Sequence, residues 1–454
     1  MALRSIDPAS GEEIARYDEL AEDGLCDVVG ATHEAWLAWR EVSFEARARV
    51  LGRAAELLTE ERRAHAELMA REMGKPVLQG EAEADKCALV CRFYAENAER
   101  FLAPEPIATD AKKSYVRFDP IGAVLAIMPW NFPYWQVFRF AAPAIMAGNA
   151  GLLKHASNVT GAALAIEDLL RRAGLPQGVF RTLVISSRQV ESVIDHAAVR
   201  AVTLTGSEAA GAAVAARAGQ RIKKSVLELG GSDPFIVLDD VDVPAVARAA
   251  ARARTINSGQ SCIAAKRFIV MEPVARAFEE AFAAELGSLV VGNPLEEKTD
   301  VGPLARADLV DELDDQVQRT VAAGGRLVTG GRRLDGPGCF YAPTLLADVD
   351  PSMPAGCEET FGPVAALLRA GSEDEAVEIA NGSVFGLGAS VWSGDAARAE
   401  RLAPHIDAGC VFVNGMVKSD PRLPFGGVKL SGYGRELADF GIREFVNIKT
   451  VVVE

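Results

Sequence analysis

The sequence predicts an α/β protein whose domains are built on parallel sheets. Its 454 residues are too many for one hydrophobic core, and 49% of them are apolar, which is enough to fill two or three cores. From Val116 onward, short β-rich runs alternate with Ala-rich helices, and a second alternating series begins after Gly230. Alternation of this kind is typical of a parallel sheet with helices on both of its faces.

The elements are expected in a definite order along the chain. The first hundred residues predict helices, because apolar residues recur three and four positions apart there. The chain ends in FVNIKTVVVE, which alternates like a strand that could pair outside its own domain. Between these segments, the predicted strands are IGAVLAIM, RTLVI, AVTLTG, KKSVLELG, PFIVLDD, KRFIVME, RLVTGG and CVFVNG.

The charge and the cysteine content argue against several classes of protein. A net charge of −15, with 48 Lys and Arg residues and no block of five or more of them, argues against a nucleic-acid partner or an anionic membrane surface. Seven scattered cysteines and no secretory signal at the N-terminus favour the reducing cytoplasm. The uncharged run 120–138 has the length of a membrane span, but its prolines predict a strand, a loop and a second apolar element instead.

Three polar residues are candidates for covalent catalysis. Cys262 ends the run NSGQSC and is either a nucleophile or one more buried, inert thiol. Asn131, in the loop PWNFP, is either an amide donor to a developing oxyanion or a turn cap. Glu228, at the end of the apolar strand in LELGGSDP, is either a partly desolvated base or a solvated edge glutamate. Taken singly, these residues leave both alternatives open.

Two further segments could contact a dinucleotide. In LTGSEAAG, Gly206 and Ser207 follow a strand and begin a helix, a geometry that presents free backbone N–H groups to a phosphate. The segment lacks the three-glycine dinucleotide fingerprint, and no P-loop motif occurs in the chain. In CEETFGP, Glu358 and Glu359 precede a Phe-Gly-Pro turn and would by themselves be interpreted as surface charge.

Seven runs, taken together and in their order, are similar to one family. Across nearly the whole chain the sequence resembles the aldehyde dehydrogenase superfamily, through PWNFP, LLKHAS, LTGSEAAG, LELGGSDPFIV, NSGQSC, EETFGP and PFGGVKLSGYGRE. The resemblance implies an α/β fold with two Rossmann-like parallel-sheet domains and a small oligomerisation β-element. Residues 1–103 and 125–229 would form the cofactor-binding domain and 230–435 the catalytic domain. Residues 104–124 and 436–454 would form the oligomerisation element of a homodimer or homotetramer.

The resemblance also implies how a reaction would proceed. Cys262 would attack an aldehyde carbon as a thiolate, and the Asn131 side chain and the Cys262 N–H would hold the resulting oxyanion. After hydride transfer to the nicotinamide, Glu228 would activate the water that releases the acid. The glycine of NSGQSC is interpreted as room for the cofactor to approach the sulfur. Ala264 stands where some relatives carry a second cysteine, so no disulfide switch is expected.

The expected cofactor is NADP, with NAD as the alternative. The resemblance places the phosphates at Gly206 and Ser207 and the nicotinamide ribose at Glu359. Lys154 matches a lysine that contacts the adenosine ribose, and Ser157 stands where many NAD-preferring relatives carry a glutamate. Without that carboxylate, a 2′-phosphate would meet Lys154 without repulsion, which favours NADP. No metal site is expected, and the other residues expected in the cofactor pocket are Met128, Pro129, Trp130 and Phe361.

The expected substrate is succinate semialdehyde. Arg139 stands where succinate semialdehyde dehydrogenases carry an arginine that holds the substrate carboxylate, although it could also be an ordinary surface arginine of a helix. Ser419 matches a serine of the same pocket, the second pocket arginine is replaced by Ile256, and Trp135 could line the channel. A broad-range aldehyde dehydrogenase, or one for another semialdehyde or aliphatic aldehyde, is the alternative. A cysteine-dependent hydrolase is more remote, because no histidine lies near Cys262 in sequence.

Overall fold

The computed structural model describes residues 2–454 and contains two α/β units built on mainly parallel sheets, which confirms the predicted fold class. The strands, in chain order, are β1 (Ala2–Ile6), β2 (Glu13–Asp18), β3 (Glu105–Pro106), β4 (Lys113–Pro120), β5 (Ala123–Met128), β6 (Ala150–His155), β7 (Phe180–Thr182), β8 (Val199–Thr205), β9 (Lys224–Glu228), β10 (Pro234–Val237), β11 (Arg267–Met271), β12 (Arg326–Thr329), β13 (Thr344–Ala347), β14 (Val364–Ala370), β15 (Phe385–Gly386), β16 (Gly388–Trp392), β17 (Cys410–Val413), β18 (Val428–Lys429), β19 (Gly432–Tyr433) and β20 (Val446–Val453).

Helices cover the sheets and fill the connections. They are α1 (Glu22–Trp39), α2 (Phe44–Glu60), α3 (Arg62–Met73), α4 (Val77–Phe101), α5 (Trp135–Ala147), α6 (Thr160–Arg172), α7 (Val190–Asp195), α8 (Glu208–Gln220), α9 (Val243–Thr255), α10 (Glu272–Gly287), α11 (Ala307–Ala322), α12 (Pro354–Cys357), α13 (Glu373–Asn381), α14 (Ala396–Leu402) and α15 (Ala438–Arg443). Short 3₁₀ turns occur at Ser157–Val159, Ser187–Gln189, Ile256–Gly259 and Ala403–His405.

The first sheet has six strands in the order β19-β9-β8-β5-β6-β7. All neighbours run parallel except β19, which is antiparallel to β9. Strand β5, AVLAIM, is buried along almost its whole length, as expected of a strand covered by helices on both faces. The loops PWNFP, LTGS and LELGG follow the carboxyl ends of β5, β8 and β9, which are neighbours in this order. The topology therefore gathers these three segments at one edge, where ligands of open parallel sheets bind.

The second sheet has seven strands in the order β12-β13-β14-β11-β10-β16-β17. It is parallel except at its edge, where β12 runs antiparallel to β13. Two apolar cores cover its two faces, and every residue of β10 and β11 is buried. NSGQSC connects α9 to β11, and CEETFGP connects α12 to β14, so both segments enter neighbouring strands of this sheet.

A third sheet has three strands, in the order β20-β4-β3, and none of them pairs with a strand of the two larger sheets. Strand β20 is antiparallel to β4 over eight residues, from Val446 opposite Pro120 to Val453 opposite Lys113, and β3 pairs with the other edge of β4. The strand predicted from FVNIKTVVVE is thereby confirmed. Most of β20 is exposed, and Ile448 shows 64% of its surface to solvent.

The chain opens on a β-hairpin, which differs from the expectation that the first hundred residues are helical. Strand β1 pairs antiparallel with β2, and Gly11 in the turn has a φ of +79°. The strands alternate charged with small or apolar residues, so the local hydrophobic signal is weak. The hairpin is held by tertiary contact: Ser5 is fully buried and its hydroxyl donates to Glu72 Oε1 at 2.7 Å.

The uncharged run 120–138 forms a strand, a loop and a helix, as its prolines predict. Strand β5 ends at Met128, and α5 begins at Trp135 and contains Pro143. No helix among residues 2–454 combines the length and the apolar content that a bilayer crossing requires.

Candidate active site

The segment that carries Cys262 has an unusual backbone. Asn257, Ser258 and Gly259 all have positive φ, of 54°, 57° and 77°. Consecutive left-handed residues are costly for a non-glycine backbone, so surrounding contacts must hold them. Asn257 supplies several, because its N–H donates to Gln79 Oε1 at 2.7 Å and its Nδ2 donates to the Asn131 carbonyl at 2.6 Å. This loop is therefore tied directly to PWNFP.

Gly259 has a different role from the one the sequence suggested. A Cβ at this position would lie 2.3 Å from the backbone carbonyl of Gly362, in the EETFGP loop. The residue also needs its positive φ. The glycine of NSGQSC therefore allows two loops to pack backbone to backbone, whereas the expected role was to leave space for a cofactor beside the sulfur.

Arg254 joins these loops and was missed by the sequence analysis. Its side chain is fully buried, and the guanidinium donates to the carbonyls of Gly259 and Gly362, both at 2.6 Å, and of Ala265 at 2.9 Å. A guanidinium has five donors in a fixed plane, so it can satisfy several carbonyls at once. The only sequence signal is a charged residue at the C-terminal end of an Ala-rich helix, which is also common on surfaces.

Cys262 is a partly exposed, free thiol that lines a cleft of about 510 Å³. Burial raises the pKa of the thiol to about 12, while the charges of Lys266 and Arg139 lower it. Lys266, also missed by the sequence analysis, is fully buried and donates to the carbonyls of Ser261 at 2.8 Å and Cys262 at 2.7 Å. In this environment the sulfur is protonated at neutral pH, and two nearby cations favour its ionised form.

Asn131 lines the same cleft as Cys262. Its side chain is 4% exposed, and Nδ2 donates to the Gln260 carbonyl at 3.2 Å. Its Oδ1 is buried and has no hydrogen-bond partner among residues 2–454. The amide donor is therefore held close to the backbone that leads into Cys262, by a loop that packs against the segment NSGQSC.

Glu228 ends β9 and is almost fully buried. Burial raises the pKa of its carboxyl group well above the usual range, and the charge of Arg139 opposes that rise. Its Oε1 lacks a hydrogen-bond partner within the described chain, and a Cβ on Gly426 would lie 2.9 Å from that oxygen. A buried carboxylate with a high pKa and a free oxygen has the properties of a general base.

The cleft brings together most of the residues expected to bind the cofactor. Glu359 Oε1 accepts from the Gly231 N–H at 3.0 Å and lies 3.3 Å from Lys266 Nζ. Trp130 and Phe361 meet edge to face at 5.6 Å between ring centroids. The predicted residues found together on the cleft wall are Pro129, Trp130, Asn131, Gly206, Ser207, Cys262, Glu359 and Phe361.

The backbone of the cleft fits a dinucleotide. A Cβ on Gly230 would lie 2.1 Å from Glu208 Oε1 and 2.7 Å from Glu359 Oε2, so a glycine keeps this wall open. Ser207 caps α8 by accepting from the Ala210 N–H at 3.4 Å. The Gly206 N–H donates to the Glu228 carbonyl at 3.0 Å, so it is not free as the sequence suggested. The amides that remain for a phosphate are those of the first turn of α8.

Met128, Lys154 and Ser157 lie at the ends of β5 and β6, outside the residues that line the cleft. Ser157 is exposed, and Lys154 is half-buried. Burial lowers the pKa of Lys154, and within the described chain no carboxylate lies within ion-pair distance of its ammonium. His155, between them, contacts the carbonyls of Met128 at 3.2 Å and Pro133 at 2.9 Å, which links β6 to the PWNFP loop.

A second cavity, of about 400 Å³, lies on the other side of the PWNFP loop and is lined by Trp135, Phe132 and Ile256, among others. Arg139 does not line it. Its guanidinium, 2% exposed, forms an ion pair with Glu436 and lies 4.9 Å from the ring centroid of Phe425. The predicted contact between Arg139 and a substrate carboxylate stays a prediction, and it would require this ion pair to rearrange.

The site residues contain no arrangement typical of a metal centre. Among residues 2–454, no three His, Cys, Asp or Glu side chains are grouped so as to hold a metal ion.

Comparisons with known proteins agree with this geometry. The model of the aldehyde dehydrogenase family matches residues 1–451. A probable succinate-semialdehyde dehydrogenase (NADP+) of Synechocystis sp. is 49% identical over 451 residues, which cover 99% of each chain. Succinate-semialdehyde dehydrogenase (NADP+) 1 of Mycobacterium tuberculosis is 50% identical over 454 residues, again 99% of each chain. The crystal structure of succinic semialdehyde dehydrogenase from Streptococcus pyogenes in complex with NADP+ matches with a TM-score of 0.97 and 38% identity, over the full length of both chains.

These matches extend over nearly the whole chain, including the cleft, the segment NSGQSC and the C-terminal strand. In the structure, the Cys262 thiol and the Asn131 amide line one cleft, while the buried Glu228 carboxylate ends β9 and is not among the residues that line it. On these grounds, the chain belongs to the aldehyde dehydrogenase family.

Proposed function

We propose that this protein oxidises succinate semialdehyde to succinate with NADP as the electron acceptor. The observation that carries the proposal is the position of the PWNFP loop between two cavities. Its residues Pro129, Trp130 and Asn131 line the cleft that contains Cys262, and Phe132 lines the second cavity. The loop separates a cofactor side from a substrate side. Relatives at about half identity over the full length carry this activity in their names, which supports the substrate and the cofactor.

The catalytic sequence begins with Cys262. Its thiol releases its proton to solvent, an ionisation that the charges of Lys266 and Arg139 favour, and the thiolate sulfur then bonds to the aldehyde carbon. The carbonyl oxygen becomes an oxyanion, which the Asn131 amide and the Cys262 N–H stabilise. Asn131 must release the Gln260 carbonyl, to which it now donates at 3.2 Å. A bound nicotinamide would supply the acceptor for the hydride of this carbon, and Cys262 would then carry a thioester.

Glu228 then removes a proton from water, which attacks the thioester carbonyl. The carbon–sulfur bond breaks, the acid leaves and the thiolate is restored. Burial makes the Glu228 carboxylate a stronger base than an exposed glutamate, because it raises the pKa. The free Oε1 is the atom that would accept the proton.

Residues at the ends of β5 and β6 would select NADP. Within residues 2–454 no carboxylate pairs with Lys154, and the exposed Ser157 adds no negative charge beside it. A 2′-phosphate would therefore meet one cation and a neutral hydroxyl. Met128 belongs to the same wall, since its carbonyl accepts from the Ala156 N–H at 2.9 Å and thereby fixes the turn before Ser157. On the substrate side, Trp135 and Ser419 remain the proposed pocket residues.

Residues 104–124 and 436–454 would form the oligomerisation element of a homodimer or homotetramer. Strand β20 leaves one edge unpaired and exposes Ile448, Val452 and Val453, by 64%, 50% and 44%. Such an edge is a natural site for pairing with a second copy. We assign 1–103 with 125–229 to the cofactor and 230–435 to catalysis. All seven cysteines are free, which supports a reducing, cytoplasmic setting.

A steady-state assay tests the function. The purified enzyme is mixed with succinate semialdehyde or butanal, each with NADP or NAD, and the absorbance of the reduced nicotinamide is followed. We expect kcat/KM to be highest for succinate semialdehyde with NADP, and Cys262→Ser to abolish turnover of both aldehydes. A preference for butanal, or turnover that survives in Cys262→Ser, would refute the proposal.

A further inference from the structure

The second cavity contains several charged groups, and most of them are already paired. Lys75 forms a buried ion pair with Glu83, and Glu83 Oε1 also accepts from the N–H groups of Tyr134 and Trp135, both at 2.9 Å. Asp300 at the wall accepts from the Val290 N–H at 2.8 Å. These groups have little capacity left for a ligand.

Lys86 on α4 is the exception in the interior of the cavity. Its Nζ donates to Ser419 Oγ at 2.8 Å and lies 4.1 Å from the ring centroid of Trp135. In the described part of the chain, no carboxylate lies within ion-pair distance of this ammonium, although an ammonium has three hydrogens to donate. A half-buried cation that has only a hydroxyl and an aromatic face as partners is suited to an incoming anion.

We propose that Lys86 binds the distal carboxylate of the substrate and thereby selects short aldehydes that end in a carboxylate. The inference rests on the proposed function and identifies the cation that would bind the carboxylate of its substrate. Ser419 would hold the ammonium in place, and the Trp135 ring would cover it. The methylene groups of such a substrate would lie against the apolar part of the wall, which includes Phe132 and Ile256.

The electrostatic surroundings of Lys86 support this role. Burial, with a smaller contribution from the charge of Arg139, lowers the pKa of its ammonium to about 8. The acidic groups that raise the pKa are Cys87 and Glu83 on the same helix and Asp420 on the loop that follows Ser419. A bound carboxylate would supply the counter-charge that these groups do not. Arg139 also lowers the pKa of the Cys262 thiol, so its charge acts on both the cavity and the nucleophile.

Two other cations are rivals for this role. Arg139 is buried against Glu436, and a substrate carboxylate would have to displace that partner. Arg252 lines the same cavity from α9, but it is exposed, where water screens its charge. Among the described cations that line this cavity, Lys86 is the one that is both unpaired and partly desolvated.

The test compares Lys86→Met with Arg139→Met and Arg252→Met. Each variant is assayed with succinate semialdehyde and with butanal, which has the same carbon count but no charge. We expect Lys86→Met to lower kcat/KM for succinate semialdehyde by about 10- to 100-fold, mainly through KM, because a charge-assisted hydrogen bond is lost. Its effect on butanal should stay below about 3-fold, and Lys86→Arg should restore most of the preference.

The outcomes separate this inference from the proposed function. If the wild-type enzyme shows no preference for succinate semialdehyde over butanal, both fail. If the wild type has the preference and Lys86→Met keeps it, or loses both activities equally while remaining folded, only the role of Lys86 fails. A selective loss in Arg139→Met or Arg252→Met alone would assign the carboxylate to that residue.

A measurement on the wild type does not depend on any variant folding. As the pH rises through about 8, Lys86 loses its proton, and the preference for succinate semialdehyde over butanal should fall. Both substrates react through the same Cys262 and Glu228. Ionisation of these two residues therefore affects both activities equally and cancels in the ratio of the two kcat/KM values. A preference that stays constant from pH 7 to about 10 would contradict the proposal.

Discussion

Ser157→Glu should turn the enzyme from NADP toward NAD. The new carboxylate would stand three residues after Lys154, at an exposed position beside the place proposed for the 2′-phosphate. It would repel the phosphate and pair with Lys154, which has no carboxylate partner in the structure. With NAD it could instead accept a hydrogen bond from the free 2′-hydroxyl.

The magnitude follows from Coulomb's law. Two unit charges about 6 Å apart repel by roughly 0.7 kcal/mol in water and roughly 3 kcal/mol at an effective dielectric constant of about 20. Ser157 is exposed, so the lower part of this range applies, multiplied by a phosphate charge of roughly −1.5 to −2. We expect NADP to lose about 1–2 kcal/mol, and the ratio of NADP to NAD kcat/KM to fall by about 5- to 30-fold.

The matched control is Ser157→Gln, which has nearly the same size and shape without the charge. The two variants are assayed with both cofactors at low and high salt. Because the position is exposed, salt should weaken the repulsion in Ser157→Glu and leave Ser157→Gln almost unaffected. Equal changes of the cofactor ratio in both variants would show that size rather than charge is responsible, and the electrostatic argument would be refuted.

Three further predictions concern the segment NSGQSC and the side chain of Arg254 that holds it. Gly259→Ala should lower the free energy of unfolding, measured by denaturant titration, by about 2 kcal/mol or more and should reduce kcat strongly. The reason is that the residue has a φ of +77° and that the Gly362 carbonyl lies 2.3 Å from the added methyl. The control is Gly219→Ala in an exposed part of α8, whose methyl would meet nothing within 4 Å and which should be neutral or stabilising in the same titration. Arg254→Met should lower the free energy of unfolding by about 3 kcal/mol or more, because it leaves buried carbonyls without donors. The control is Arg276→Met at an exposed position, and an equally small loss of stability in both variants would contradict the role assigned to Arg254. The third prediction concerns the Cys262 thiol in the cofactor-free enzyme, with the two exposed cysteines removed by Cys26→Ser and Cys357→Ser. Alkylation of Cys262 by iodoacetamide should accelerate about tenfold per pH unit above neutrality, because the pKa of the thiol lies near 12. A rate that levels off near pH 8 would show that the thiol is more acidic than the structure implies.

The sequence predicted the fold well where hydrophobic patterns are strong. The parallel strands are short and apolar, and their helices repeat with clear spacing, so both α/β units and the C-terminal strand could be inferred. The hairpin at β1 and β2 was missed, because its strands are polar and its stability depends on Ser5 meeting Glu72, a residue of a distant helix.

The candidate site was also predicted in large part, because its residues lie in short motifs that keep their order along the chain. Asn131, Glu228 and Cys262 belong to such motifs. Arg254, Lys266 and Lys86 do not, and each looks like an ordinary charged residue of a helix or strand. Their roles follow from their contacts: Arg254 donates to the carbonyls of two loops, Lys266 to the carbonyl of Cys262, and Lys86 to the hydroxyl of Ser419.

The sequence by itself determined the fold class, the family and the chemical types at the site, because those depend on local patterns and on the identity of a few side chains. Only the tertiary structure decided which charges are paired. Arg139 has a carboxylate at ion-pair distance in Glu436, and among residues 2–454 Lys86 has none. The reason is physical, because the capacity of a cation to bind a substrate depends on its neighbours in space and on its burial. The spacing of residues along a chain determines neither of these.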